Sequence, residues 1–302
     1  MRLIRNNMLS ILLLALAFGY AAGGEKQFER KFQVSPGGTL SLDTDAGSVS
    51  VTGTGGNEVI VMARIEGRDR DVESFTIDAK QNAGGVEVTG RAPKSFWRLL
   101  RGSDFDVEFI ISVPKEYNVR LSTAGGNVHV ADLKGKVDGG TSGGNIQLKQ
   151  IEGTTTVETS GGDIQADGLK GDLSAETSGG SVKVRNVTGS VIAETSGGNI
   201  NVEEVDGKVS AETSGGNVTV KVRGANKGVH AETSGGNVTI AIGKTVGGTI
   251  DASTSGGDVI CDLPITVSGK ISESRIKGTV NGGGELIYAH TSGGNVRIKP
   301  LE

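Results

Sequence analysis

The 302-residue chain has one cysteine, five prolines and only 4% aromatic residues, and each shortage excludes something. A single cysteine, Cys261, cannot build a disulfide framework, so the fold must come from burial and hydrogen bonding. Five prolines beside 50 glycines fit neither a proline-rich linker nor a collagen repeat, so the glycine has positional meaning. Seven Phe, three Tyr and one Trp leave little surface for stacking bases. The formal charge is −4 and no Lys/Arg-rich block interrupts it, whereas phosphate binding needs clustered cations to release counterions. The composition argues against a nucleic-acid partner.

No apolar run reaches the roughly 20 residues of a transmembrane helix. The stretch from Leu9 to Phe18 follows Arg2 and Arg5 and precedes small residues from Gly19 to Gly23, the layout of a secretory signal peptide over residues 1–22. Cleavage there leaves 29 basic against 35 acidic residues and no spanning segment in the mature chain. No cysteine stands after the cleavage region, so a lipoprotein anchor is not expected. The expected location is the periplasm or the cell surface and beyond.

What the sequence has in abundance is a repeat. Thr-Ser-Gly-Gly followed by Asn, Asp or Ser starts at Thr141, Thr159, Thr177, Thr195, Thr213, Thr233, Thr254 and Thr291, and a variant with Ala starts at Thr123. The spacings are 18 five times, then 20, 21 and 37, the last reading as two units of which one has lost the motif near Ile271 to Ile276. Within the unit Gly207 to Arg223, residues alternate with period two: Val209, Ala211 and Thr213 on one face with Ser210 and Glu212 on the other, then Val218 and Val220 against Asn217, Thr219 and Lys221. An 18-residue unit cannot bury its own apolar side, but units stacked about 4.8 Å apart bury a continuous one. The expected fold is all-β, a single-chain parallel β-helix, or β-solenoid, with coils of about 18 residues.

Inner alanines at 175, 193, 211 and 231 imply a narrow interior. The glycine pair is expected to turn the corner through positive φ, so that valine at Gly197 or Gly216 unstacks a coil. Insertions at Gly224 to Lys227 and Lys244 to Gly248 read as loops after the second strand of a coil. Residues 28–120 read as the irregular first coils and cap of the solenoid, rich in bulk such as Phe75, Phe96, Trp97, Phe105 and Phe109, and residues 121–300 as regular coils of the same domain. The stretch Ser95 to Ser103 reads as a cap or a partner-binding knob. Cys261 reads as a core residue.

Candidate chemistry is sparse. His129, His230 and His290 stand in different coils without metal-ligand spacing. Gly243-Lys244-Thr245 lacks the upstream glycine of a phosphate loop, and the corner lacks the aspartate column of calcium-binding β-rolls. The asparagines 145, 199, 217, 237 and 295 are expected to form a side-chain ladder. One outward column needs explaining: Glu158, Glu176, Glu194, Glu212 and Glu232 share one position in five consecutive units. It reads either as a solvated column that keeps the sheet soluble or as a strip for a divalent cation or cationic ligand. Neither catalytic residues nor a cofactor are expected.

The run FIISVPKEYNVRLSTAGGNVHV at Phe109 to Val130, the G-x-V-x-A-E-T-S-G-G-N-V units and the closing NGGGELIYAHTSGGNVRIK together resemble the bacterial putative-adhesin family, a group of exported β-solenoids of unknown function, over about Leu40 to Lys299. The resemblance implies adhesion and brings no catalytic residues. The leading expectation is an exported, non-catalytic adhesin-like or scaffold protein meeting a surface, glycan or envelope protein. The alternatives are a secreted polysaccharide-active enzyme on a β-helix and a periplasmic envelope-stress structural factor.

Overall fold

The computed structural model describes residues 24–93, 105–267 and 272–301. The expected signal peptide and the Ser95 to Ser103 stretch, with Phe96 and Trp97, lie outside the described residues, as does Ile271. The chain is a β-solenoid in which each coil gives one strand to a 13-stranded sheet, here sheet A, and one to a 14-stranded sheet, sheet B. In the regular part Val191–Thr195 lies between Leu173–Thr177 and Val209–Thr213, parallel to both, with Ala193 opposite Ala175 and Ala211. These alanines, and Ala231, are fully buried, as the inner position of a thin two-layer core requires.

The inner residues of sheet A are spaced 2 and then 3: Ile146, Leu148 and Ile151, or Val182, Val184 and Val187. The extra step has a backbone cause. Asp132, Gln150, Asn186 and Glu204, with φ of 52–58°, and Gly168 at 73°, form a column of left-handed residues that bulges each strand and turns the following side chain inward. Asp, Asn and Gly suit that conformation, while Gln and Glu pay a strain that the packed valines and leucines on either side offset.

The Thr-Ser-Gly-Gly corner works differently from expectation. None of its serine-following glycines has a φ in the left-handed region. A Cβ on the second glycine, such as Gly198 or Gly216, would collide with the carbonyl oxygen of the equivalent glycine one coil back, whereas a Cβ on the first, Gly197, would stand 3.4 Å from Gly179 O, an ordinary contact. Close approach of stacked backbones therefore demands the second glycine, and Gly197 is replaceable. Left-handed glycines sit at the opposite corner instead, at Gly153, Gly171 and Gly189.

The other corner residues are held by two hydrogen-bond columns. The buried threonine hydroxyl donates to the second-glycine carbonyl of the preceding coil, as Thr195 Oγ1 does to Gly180 O at 2.8 Å, and accepts from its own second-glycine N–H. The residue after the glycines accepts through its side chain: Asn217 N–H donates to Asn199 Oδ1 at 2.8 Å, and Ser181 N–H to Asp163 Oδ1 at 2.7 Å. This ladder runs from side chain to main chain, with amide-to-amide contacts only secondary at 3.3–3.4 Å. Only an acceptor is needed, so Asn, Asp and Ser all serve.

Chain order and spatial order part company at both ends. The first coil, Thr39–Thr44 and Ser48–Thr54, is flanked on one side by Asn118–Thr123 and Val128–Lys134 and on the other by Gly85–Arg91 and Asp106–Pro114. Antiparallel strands close this end: Glu25–Gln33 and Glu58–Glu66 on sheet A, Thr76–Asn82 on sheet B. A helix over Asp69–Ser74, unforeseen in the sequence, leads into buried Phe75, whose ring lies 5.9 Å from that of Phe105.

At the far end the closing strands Leu286–Thr291 and Val296–Pro300 do not lie outermost in the stack. They are inserted between the coil of Val229–Thr233 and Val238–Ile242 and the coil of Gly248–Thr254 and Val259–Cys261. The 37-residue spacing is thus not a lost repeat: the chain passes outward through antiparallel Arg275–Val280 and returns beneath. The return segment crosses Gly247 and Gly248. A Cβ at Gly247 would strike Gly283 O, and Gly282, Gly283 and Gly284 all have positive φ. Cys261 lies at this rim, half-buried, and burial pushes its thiol pKa up.

Candidate functional site

The outer face of sheet B carries the glutamate column. The registers pair Glu158, Glu176, Glu194, Glu212 and Glu232 in sequence, continuing to Gly140 and Ser122 at one end and to His290 and Ser253 at the other. Strand stacking sets neighbouring carboxylates about 5 Å apart, which in water-like dielectric costs somewhat under 1 kcal/mol per pair. Among the described residues Glu158, Glu176 and Glu194 have no ion-pair partner. Beside the column run the corner serines, and the trough between them encloses about 270 Å³ along Glu176 to Ser234. It continues past Glu158 into a wider hollow of about 540 Å³ where Gly140 offers no side chain.

One end of this face is chemically richer. His230 Nε2 stands 3.6 Å from Glu212 and 3.4 Å from Glu232, and its ring stacks on Tyr288 at 4.7 Å and 8°. Burial first, then the Glu232 and Asp251 charges, push the Tyr288 hydroxyl pKa up. Asp251 is itself paired with Lys277 at 2.7 Å and Arg275 at 3.3 Å. Ser253 Oγ lies 3.0 Å from His290 Nδ1. A serine beside a histidine suggests acyl transfer, but the amides after Ser253 are committed: Thr254 N–H donates to Ser274 O and Ser255 N–H to Thr291 O. The two amides that follow Ser253 are therefore not available to hold an oxyanion. The stack came from bringing residues 230, 253, 288 and 290 together across an inserted coil, which repeat spacing did not reveal.

Sheet A presents the opposite pattern at the equivalent place. Lys149, Asp167, Arg185, Glu203 and Lys221 follow one another in register with alternating sign. Glu203 accepts from Lys221 Nζ at 2.7 Å and stands 3.6 Å from Arg185. The Lys221 ammonium, with help from Asn201 and Arg185 and against some desolvation, holds the Glu203 carboxyl below its usual range.

His129 lies on the outer face of sheet A, across from Gln147, far in register from His230 and His290. Among the described residues no three His, Cys, Asp or Glu side chains are grouped to hold a metal. No described helix is long and apolar enough to cross a membrane.

Three solved structures illustrate how far the likeness reaches. A putative adhesin from Bacteroides fragilis is 15% identical, with 91% of this chain and 97% of that one covered and a TM-score of 0.41. A putative cell adhesion protein from Clostridium sporogenes is 14% identical, with 91% and 100% covered and a TM-score of 0.26. A putative lipid binding protein from Parabacteroides distasonis is 11% identical, with 91% and 97% covered and a TM-score of 0.35. Likeness at this level says nothing of what this chain binds. No curated protein matches it. The Toastrack DUF4097 family matches residues 38–299, nearly the whole of the two-sheet stack with its threonine and glycine corners, and the chain belongs to that family.

Proposed function

We propose that this chain acts after export as a non-catalytic, adhesin-like or scaffolding protein of the cell envelope, and that the outer face of sheet B is its binding surface. The observation that carries this reading is the glutamate column. Sheet A shows that the same stack can neutralise an outward column by alternating sign, so five like charges in register, three of them without an ion-pair partner among the described residues, are not demanded by the fold. A like-charged, rigid, shallow trough suits an extended partner held by many weak contacts better than a small substrate held in a pocket. The regular corners, each tied to the next by hydrogen bonds, hold the successive strands of that face in register.

Protease treatment of intact cells, with a periplasmic protein as control, tests the placement. Loss of the band while the control survives supports an adhesin. Protection, with release on osmotic shock, makes it a periplasmic scaffold and ends the adhesin reading. The face is tested by comparing the wild type with Glu194→Gln/Glu212→Gln for binding to glycans and envelope proteins, where unchanged binding would remove sheet B from the proposal. Calorimetry with calcium tests the cation strip, and neither heat nor a change in melting temperature would eliminate it.

A further inference from the structure

The glutamate column is interrupted at Gly140. The next five coils each put a glutamate before the corner threonine, as Leu-Ser-Ala-Glu-Thr does over Leu173–Thr177, whereas Val137–Thr141 reads Val-Asp-Gly-Gly-Thr. The fold does not ask for glycine here as it does at Gly198. Gly140 has no left-handed φ. The nearest atoms a Cβ would meet are Glu158 Cγ at 3.1 Å and Oε1 at 3.4 Å, in an exposed side chain that can swing aside, and the nearest backbone atom stands 3.6 Å away, an ordinary contact. Glycine inside a strand weakens it, and where neither φ nor packing requires one, its use is to let another molecule reach the backbone.

The gap opens the hollow of about 540 Å³, twice the volume of the trough beside the later glutamates and within the range of small-molecule sites. Its floor is the bare backbone of Gly139 and Gly140. Ser122 and Glu158, one strand to either side of Gly140, stand about 10 Å apart as its walls. On the same strands lie Arg120, Asp138 and Thr156, with Arg120 Nε 3.6 Å from Asp138 Oδ2. Among the described residues the lining hydroxyls of Ser122, Ser142, Thr156 and Ser160 make no hydrogen bond within the protein.

We infer that this hollow holds a neutral sugar unit of an extended glycan, whose chain continues along the trough of the glutamate column. This rests on the reading of sheet B as a binding surface, and names the chemistry of the partner and the place where it is gripped. A sugar ring carries donors and acceptors around its rim and an apolar C–H face. The lining offers acceptors in Asp138 and Glu158, donors in Arg120, both in the hydroxyls, and a flat stretch of backbone for the C–H face. Its charged groups are Asp138, Glu158 and Glu176 against Arg120, a net of −2, which repels uronic acids and sulfated or phosphorylated sugars. A simple cation would use the carboxylates alone.

Calorimetry with the full mature chain tests this, using maltotriose, cellotriose, mannotriose and chitotriose as neutral probes, trigalacturonic acid as the acidic probe and trilysine as the cationic one. At least one neutral trisaccharide is expected to bind, and the acidic one is not. Gly140→Gln fills the gap without adding charge and should weaken that sugar about tenfold or more while melting no lower than wild type. Arg120→Gln, checked for folding by circular dichroism, should weaken the sugar about tenfold and leave trilysine no weaker.

The inference is overturned if no neutral trisaccharide binds, if trilysine alone binds, or if Gly140→Gln binds the sugar as wild type does. A Gly140→Gln protein that melts well below wild type overturns it too, since the glycine would then serve the fold. The wider reading of sheet B fails separately: an envelope protein or long glycan whose binding is lost in Glu194→Gln/Glu212→Gln keeps that face as a binding surface even where the hollow takes no sugar.

Discussion

In the middle of the stack, residues next in sequence by 18 are next in space, and every coil repeats the same contacts. At the C-terminal end this correspondence fails, since the last 15 or so residues lie between two coils that the chain has already built. The middle is modular because each coil satisfies its neighbours with a threonine, a glycine and an acceptor at fixed places. The end is not modular. Its outer coil has a slot that only the final strands fill.

The sharpest way to break the comparison is to remove material from each region. Deleting residues 286–302 exposes an unpaired edge on both flanking coils in both sheets, and the melting temperature should fall by roughly 10 °C or more, with strand content lost from residues 229 onward by hydrogen exchange. Deleting residues 173–190, one middle coil, brings Thr155–Thr159 against Val191–Thr195 in the same register and should leave a folded protein of nearly unchanged melting temperature. Equal loss from both deletions would show that the middle is no more modular than the end.

Single substitutions sharpen the account of the regular corner. Gly198→Ala forces the stacked backbones apart and should cost about 3 kcal/mol in a denaturant titration, while Gly197→Ala should stay within about 0.5 kcal/mol. Thr195→Val removes one buried donor and acceptor and should cost about 1–2 kcal/mol.

The smallest effect is electrostatic. Because Lys221 holds the Glu203 carboxyl low in the fold, this group adds stability above its unfolded pKa, and that stability is lost as pH falls through the folded value. Glu203→Gln should therefore be less stable than wild type at pH 7 and lose less on acidification towards pH 3, as read from paired melting curves.

Much of this was legible in advance because period-two alternation and an 18-residue repeat report directly on which side chains are buried. The inward Val209, Ala211 and Thr213 and the outward glutamates stand where the pattern put them. Backbone conformation was harder to read. Two glycines side by side look alike in sequence, yet only one touches the coil below, and the left-handed column at Asp132, Gln150, Asn186 and Glu204 showed only as an unexplained step of three between buried residues. The His230, Tyr288 and His290 cluster was illegible because 58 residues separate members that adjacent strands bring together. Asn281, Gly282, Gly283 and Gly284, facing Gly247 and Gly248, were the available hint of a crossing.

Sequence alone determined the solenoid, its coil length, the composition of its core and the like-charged column, because each of these depends on local alternation repeated at a constant spacing. Tertiary structure decided the order of coils at the ends, the division of labour within the glycine pair and the meeting of His230, Tyr288 and His290 on one face. Those depend on which backbones approach one another and which columns share a face, and neither is a property of any one repeat.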